Sequence, residues 1–409
     1  MLRPYRNLLA VPHLASLLTW SMLARVHATG LGIAVTFLVV EWTGSYGIAG
    51  LFIGAMAVGN GISGPWRGRA ADREPASRLL TRTVLAYCGG LVVLLCLPGS
   101  WWPAGLVVMF LVGLCTPPAG PIGRSAYTRV ASGEARSAAF AVEATGFELL
   151  FMLGPVAIAF VVGLVSPRAA IGVIALTALV CTLVFAAVLR RAGVDEPVCT
   201  APAEPGARQT PVLAARGLGL ALASSLFLVM AFGMLDLAVV AVGRELGSPT
   251  VAGVLIAVWA AGSLVGGLVS GGLRGQPRFA LRTALVGVGM AALVPVLPPV
   301  LEPTSPVLIG LLLAVGGVFI APTISAGNTR IGNLAPEGRT AEAFGWLATF
   351  TTTGNTIAAP IAGSLLDLYG PAAAAVGASV AMVVATVLAA LSVRVVRTTR
   401  VSSSTADMG

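Results

Sequence analysis

The amino-acid sequence predicts an all-α membrane protein: twelve transmembrane helices in two pseudo-symmetric six-helix bundles. Three observations predict it. The 409 residues are 57% hydrophobic and only 10% charged, with a mean hydropathy of +0.93, whereas a soluble domain carries roughly 25% charged residues. Breaking the chain at Gly, Pro and Arg clusters leaves about twelve apolar stretches, each near the ~20 residues that a helix needs to cross a bilayer. The chain also resembles itself at an offset of about 200 residues, the mark of an internal duplication.

The first six stretches fall at 14–40, 46–66, 79–98, 103–123, 138–165 and 169–189. The first is too long for a signal-peptide core and has no convincing small-residue cleavage site, so it reads as an uncleaved span. Six more follow at 217–242, 250–272, 281–300, 305–327, 341–366 and 372–393. Between the sets, "RRAGVDEPVCTAPAEPGARQTPVLAARG" is rich in Pro and Ala with charges of both signs, which reads as a flexible linker. The expected organisation is therefore a bundle over 1–190, a cytoplasmic linker over 191–216 and a second bundle over 217–409.

The duplication is collinear. "TGSYGIAGLFI" matches "LGSPTVAGVLI", "RTVL" at 82 matches "RTAL" at 282, and "YTRV" at 127 matches "NTRI" at 328. "EARSAAF" from Glu134 parallels "EGRTAEAF" from Glu337, and each leads into a span with a central proline, Pro155 or Pro360. Parallel repeats around a midplane cavity point to a secondary transporter.

All 25 basic residues are arginines, which excludes chemistry that needs a lysine, such as a P-loop or a Schiff base. With a cytoplasmic N-terminus, every arginine falls inside except Arg168 and Arg244 outside and Arg25 within the membrane. The positive-inside rule thus sets both termini in the cytoplasm, and the net charge of +9 reads as topology rather than as a nucleic-acid footprint. The cysteines are scattered without CxxC spacing, so no disulfide and no metal site is expected. "GNGISG" at 59–64 fits a dinucleotide pattern but lies within a span without a preceding strand, so its glycines read as a close helix contact. The sequence offers neither a nucleophile with a base nor an HExxH, so no enzyme and no cofactor is expected. A lone midplane carboxylate between repeats suits alternating access better than a channel.

Two motifs carry a family resemblance. "GRAADREPASR" after the second stretch matches, at Gly68, Asp72 and Arg73, the cytoplasmic signature of the major facilitator superfamily; Pro75, Ala76 and Ser77 depart from its usual Gly and basic residues. "LLFMLGPVAIA" in the fifth resembles the antiporter motif of the drug-efflux branches at Gly154 and Pro155, while Leu150, Ile158 and Ala159 stand where glycines are usual. The resemblance implies a cytoplasmic gate at Gly68, Asp72 and Arg73, with Asp72 facing a helix N-terminus, and helix kinks at Gly154, Pro155 and Pro360. It further implies proton-coupled export of small amphipathic drugs or metabolites, with proton-coupled uptake of a nutrient as the alternative. The partners are then a small molecule, protons and the lipid bilayer. Abundant Ala, Gly and Arg suggest a bacterial cytoplasmic membrane.

Charges inside spans name the remaining site residues. Arg25 is costly near the bilayer centre. The resemblance makes spans one and five neighbours, so Glu148 is its expected partner, either lining the cavity or locking the first bundle. Glu143, about 140° round the helix, is not expected to serve the same arginine. His27 lies on nearly the opposite face from Arg25, as a packed histidine or a proton relay. Asp236, near the midplane with no basic neighbour in sequence, is the expected proton-coupling or substrate-binding carboxylate. Thr349, Thr352, Thr353 and Thr356 share one helical face, as back-bonded or packing hydroxyls.

Overall fold

The computed structural model describes residue 8 and residues 10–197, 211–246, 249–271, 278–302 and 304–406. In chain order its main helices are α1 (Leu14–Leu23), α2 (His27–Thr43), α3 (Tyr46–Arg73), α4 (Ala76–Cys96), α5 (Trp102–Leu114), α6 (Ala119–Val130), α7 (Gly133–Leu164) and α8 (Pro167–Arg191). They continue as α9 (Leu218–Glu245), α10 (Pro249–Gly271), α11 (Phe279–Ala291), α12 (Pro306–Gly317), α13 (Ile320–Leu334), α14 (Thr340–Tyr369) and α15 (Pro371–Ala406). Helix is the form that satisfies every backbone N–H and C=O within its own segment, which a bilayer demands.

Eleven helical stretches among the described residues are long and apolar enough to cross a membrane. The stretch expected at 341–366 is also helical, as the 30-residue α14, but its Thr, Gly and Asn residues dilute its apolarity and it is not among the eleven. Several expected spans are interrupted. The first breaks at Ala24–Val26 between α1 and α2, the fourth at Cys115–Pro118, and the tenth at Val318–Phe319. At the first break Arg25 N bonds Met22 O and Val26 N bonds Leu23 O, a tightening to i→i+3 that keeps the backbone paired. The loop expected after the second span is instead the last turns of α3, which runs to Arg73; a 28-residue helix is about 42 Å long and reaches past the hydrocarbon.

Three large apolar cores, with a small fourth of Phe279, Ala326 and Ala389, hold the helices together among the described residues. One draws on residues 31–178, from α2 to α8, and another on residues 228–382, from α9 to α15. The third joins α1, α4, α6, α7, α8 and α9 to Ile331 of α13 and Ala343, Phe344 and Leu347 of α14. Outward-facing side chains such as Phe160, Leu164 and Val307 are apolar and exposed, the surface expected against lipid.

The start of the stretch read as a flexible linker is fastened. Ala76 N donates to Asp195 O at 3.1 Å, Ser77 N donates to Asp195 Oδ1 at 2.6 Å, and Arg129 Nη1 donates to the Val194 and Glu196 carbonyls. A carboxylate on helix N-terminal amides wins over the flexibility that its Pro and Ala composition suggests. Residues 198–210 lie outside the described residues.

The contact that most shapes the molecule is α3 against α14. Lipid gives two helices little apolar reason to associate, so close approach of small residues and interhelical hydrogen bonds carry the contact. Thr349 Oγ1 donates to Gly61 O at 2.6 Å. A Cβ at Gly64 would lie 2.7 Å from Gly345 O, and one at Gly68 would collide with the Ala341 carbonyl. The glycines of "GNGISG" are thus packing residues. The contact does not extend along the whole of α3: side chains added at Gly50 or Gly54 would meet open space, and Leu51 and Val58 are exposed. On α14, Asn355 and Thr356 are exposed likewise. The two helices meet at the Asp72 end and leave each other beyond Gly61.

Gly68→Leu should therefore force α3 and α14 apart, at the roughly 1–3 kcal/mol typical of overpacking. Spin labels on α3 and α14 near Asp72, read by pulsed electron resonance, should show a longer separation in the variant than in the unsubstituted protein.

Candidate functional site

Two charge clusters lie at and just inside the Asp72 end. The outer one caps α14. The residue preceding that helix is Arg339, which makes no side-chain capping bond, since a guanidinium cannot accept. Asp72 supplies the acceptor from α3: Ala341 N donates to Oδ1 at 3.0 Å and Glu342 N to Oδ2 at 2.7 Å, both buried. A carboxylate on helix N-terminal amides makes charge-assisted bonds and also meets the positive end of the helix dipole. Glu342, itself buried, is held by Arg69 at 2.9 Å and Arg339 at 2.7 Å. Gly68 allows the approach, one turn before Asp72. Arg73 ends α3, exposed and partnered.

The inner cluster surrounds Glu143, ten residues into α7 and so about 15 Å from its start. Arg25 Nη2 lies 2.9 Å from Glu143 Oε1, and Arg124 Nε donates to Oε1 at 3.1 Å and Oε2 at 3.3 Å. The partner of Arg25 is thus Glu143, where the sequence led us to expect Glu148; the Glu148 side chain lies outside the described residues. The expectation that Glu143 would not serve Arg25 is thereby corrected, and the reason is that the first span is not continuous. The break at Ala24–Val26 re-aims Arg25, and its Nε takes the Ser21 carbonyl at 3.2 Å, the acceptor that a continuous helix would have given to Arg25 N. Arg25 also stacks 4.6 Å above Phe147, and Arg124 lies 5.6 Å from the ring centre of Phe344 on α14.

His27 is buried at the start of α2, its ring 5.0 Å from that of Tyr87 on α4 and edge-on to it, away from the arginines. Asp236 is half-buried in α9 and is not without a partner, which corrects the unpaired carboxylate assumed from its apolar sequence neighbours. Gly154 packs against Thr29 of α2, where a Cβ would collide with the threonine hydroxyl. The helices run on through Pro155 and Pro360. Thr353 and Thr356 bond back to the carbonyls of Thr349 and Thr352, each at 2.9 Å, leaving Thr349 as the hydroxyl that reaches another helix. Cys88, Cys96, Cys115 and Cys181 are free thiols; Cys199 lies outside the described residues.

Sequence reasoning missed Arg124 and the Arg69–Glu342–Arg339 group. In sequence the fourth apolar stretch ends at 123, because the prolines at 117, 118 and 121 and then Arg124 look like a boundary. The helix resumes at Ala119 and carries Arg124 into the cluster. The available signal was the paired repeat "EARSAAF" and "EGRTAEAF", whose shared spacing marks two equivalent helix starts at this end.

Comparison with known proteins gives a consistent picture. A family model described as the Major Facilitator Superfamily matches residues 16–228 and 221–408. A search of curated proteins finds no match to the sequence. Among solved structures, a bacterial homologue of the iron transporter ferroportin in an outward-facing state is similar at TM-score 0.74 and 17% identity, covering 93% of this chain and 99% of that one. The human organic anion transporter TETRAN follows at TM-score 0.67 and 16% identity, covering 91% and 98%. The E. coli fucose:proton symporter, in a singly substituted form, matches at TM-score 0.66 and 13% identity, covering 92% and 98%. At these identities the likeness is one of fold.

Glu143→Ala should leave two neighbouring guanidiniums without their counter-charge and destabilise the protein by about 3–5 kcal/mol. Thermal unfolding in detergent should show a clear loss for this variant, and a much smaller one for Thr353→Ala, whose hydroxyl bonds only within its own helix.

Proposed function

The chain belongs to the major facilitator superfamily, and from that premise we propose that it is a secondary transporter that exports small amphipathic compounds by alternating access, driven by proton exchange. The observation that carries this reading is the one-sided contact between α3 and α14: sealed by Asp72 at one end, parted beyond Gly61. A protein that only packed its helices would have no reason to confine the contact to one end.

The sealed end carries Arg69, Arg73, Arg78, Arg129, Arg136, Arg190, Arg191 and Arg339. By the positive-inside rule this end is cytoplasmic, so the conformation is open outward with the cytoplasmic gate of Gly68, Asp72 and Arg73 shut. The two repeats are then six-helix bundles, 1–190 and 217–409, joined by 191–216, with α14 as the twelfth crossing and both termini in the cytoplasm of a bacterial cell. Gly154 and Pro155 support export, by likeness to the antiporter motif. Asp236 is the proton-coupling residue, with Glu148 and His27 as further titratable groups and Arg25 as the charge that shapes the cavity. A carboxylate moved between apolar and wet surroundings as the cavity alternates gains and loses its proton.

Proteoliposomes with an imposed proton gradient and an internal pH indicator test the reading. Addition of a transported amphipathic compound should collapse the gradient, and Asp236→Asn should abolish the proton movement. Flux against the proton current identifies export; flux with it identifies uptake and overturns the direction. Asp72→Ala should lose two charge-assisted hydrogen bonds, weaken the closed gate by about 2 kcal/mol and cut its population relative to the open form roughly 30-fold. Labelling of cysteines placed at the cytoplasmic end should rise accordingly.

A further inference from the structure

Glu143 is outnumbered. Its two oxygens are fully engaged by Arg25 and Arg124, and the cluster holds two positive charges against one negative. Arg124 commits only Nε: among the described residues, no protein group accepts from either of its terminal nitrogens, nor from Nη1 of Arg25. Inside a membrane such donors need an acceptor. The side chains are 16% and 11% exposed, so they are reachable rather than sealed.

We infer that Arg124 and Arg25 bind the carboxylate of an amphipathic organic acid. The inference rests on the transport reading and names its substrate class. The net charge of the cluster is +1, which a monoanion neutralises. The planar fork of a guanidinium matches a carboxylate in two parallel hydrogen bonds. The surroundings are aromatic: Phe147 lies beneath Arg25 and meets the exposed Phe151 at 4.8 Å, while Phe344 beside Arg124 is itself fully buried. An acid with a flat apolar body fits the Phe147 and Phe151 faces. A cationic ligand is disfavoured, since the carboxylate that would receive it is already shared between two arginines and the excess charge repels it.

The test uses the purified full-length protein in detergent with labelled 1-naphthoate, its methyl ester and 1-naphthylmethylammonium as probes. Wild type should bind naphthoate, with unlabelled benzoate competing, and should ignore the ester and the ammonium. Arg124→Gln should abolish binding and Arg124→Lys should weaken it, because lysine keeps the charge but loses the fork. Glu143→Gln keeps an amide oxygen as an acceptor for the arginines, raises the local charge and, in protein that thermal unfolding shows to be folded, should tighten naphthoate binding by at least about tenfold, a gain that misfolding cannot mimic. Preference for the ammonium, equal binding of the ester, no naphthoate binding, or no tightening in Glu143→Gln overturns the assignment. The transport reading fails separately: naphthoate binding without flux in proteoliposomes sinks transport and leaves the site, whereas flux of the ammonium without naphthoate binding sinks the site and leaves transport.

Discussion

The carboxylate of Glu143 holds the first half of the protein in its observed arrangement. Arg25 on a spanning helix is costly without a partner, and the pairing with Glu143 requires more than an opposite charge nearby. The helix breaks at Ala24–Val26, the backbone tightens, and Arg25 turns one nitrogen to the freed Ser21 carbonyl and another to the acid. Arg124 arrives on a helix that restarts after the prolines at 117 and 118. Three chain segments that already share an apolar core are thereby also tied at one charged point. Breaking a buried group of this kind costs more than forming it gains, because whatever remains is an uncompensated charge.

That point is coupled to the sealed end. Phe344, beside Arg124, lies two residues beyond Glu342, whose amide donates to Asp72 and whose carboxylate is held by Arg69 and Arg339. One short stretch of α14 thus serves both clusters. Its capping contacts carry balanced charge, with Asp72 and Glu342 against Arg69 and Arg339, whereas the Glu143 cluster carries a surplus. Moving α14 away from α3 removes an aromatic face from Arg124 as it frees the helix N-terminus. On the proposed reading, occupancy of the arginines and closure of the end would both report the position of this helix.

The sequence made the helical architecture legible because bilayer thickness and internal duplication act on whole segments, and composition over some twenty residues averages local irregularities away. It also exposed Asp72, through the likeness of "GRAADREPASR" to the family signature. The Glu143 cluster was not legible for a physical reason: pairing across helices depends on where a helix breaks, and a break of three residues rotates everything after it. Arg25 reaches Glu143 because its helix is not continuous, and Arg124 reads as a loop residue because the prolines before it end one helix and begin another. Asp236 shows the complementary limit, since a residue without charged neighbours in sequence can acquire a partner in space.

The departure at Pro75, Ala76 and Ser77 from the family signature then has a structural account. Pro75 precedes α4 and makes no side-chain cap, so the helix start needs an acceptor from elsewhere, as α14 does after Arg339. Asp195 provides it, accepting from the Ser77 amide at 2.6 Å and its hydroxyl at 2.8 Å. The protein uses one device twice: an aspartate carboxylate at the N-terminus of a helix to which it does not belong, on two amides in α14 and on one amide and a hydroxyl in α4. Asp72 makes the contact between α3 and α14, the one that the proposed cycle would have to break; Asp195 ties the start of the linker to α4 of the first repeat. The same interaction therefore joins the two repeats in one place and fastens the linker to the first repeat in the other, and what it can do in the proposed transport cycle depends on which segments it joins.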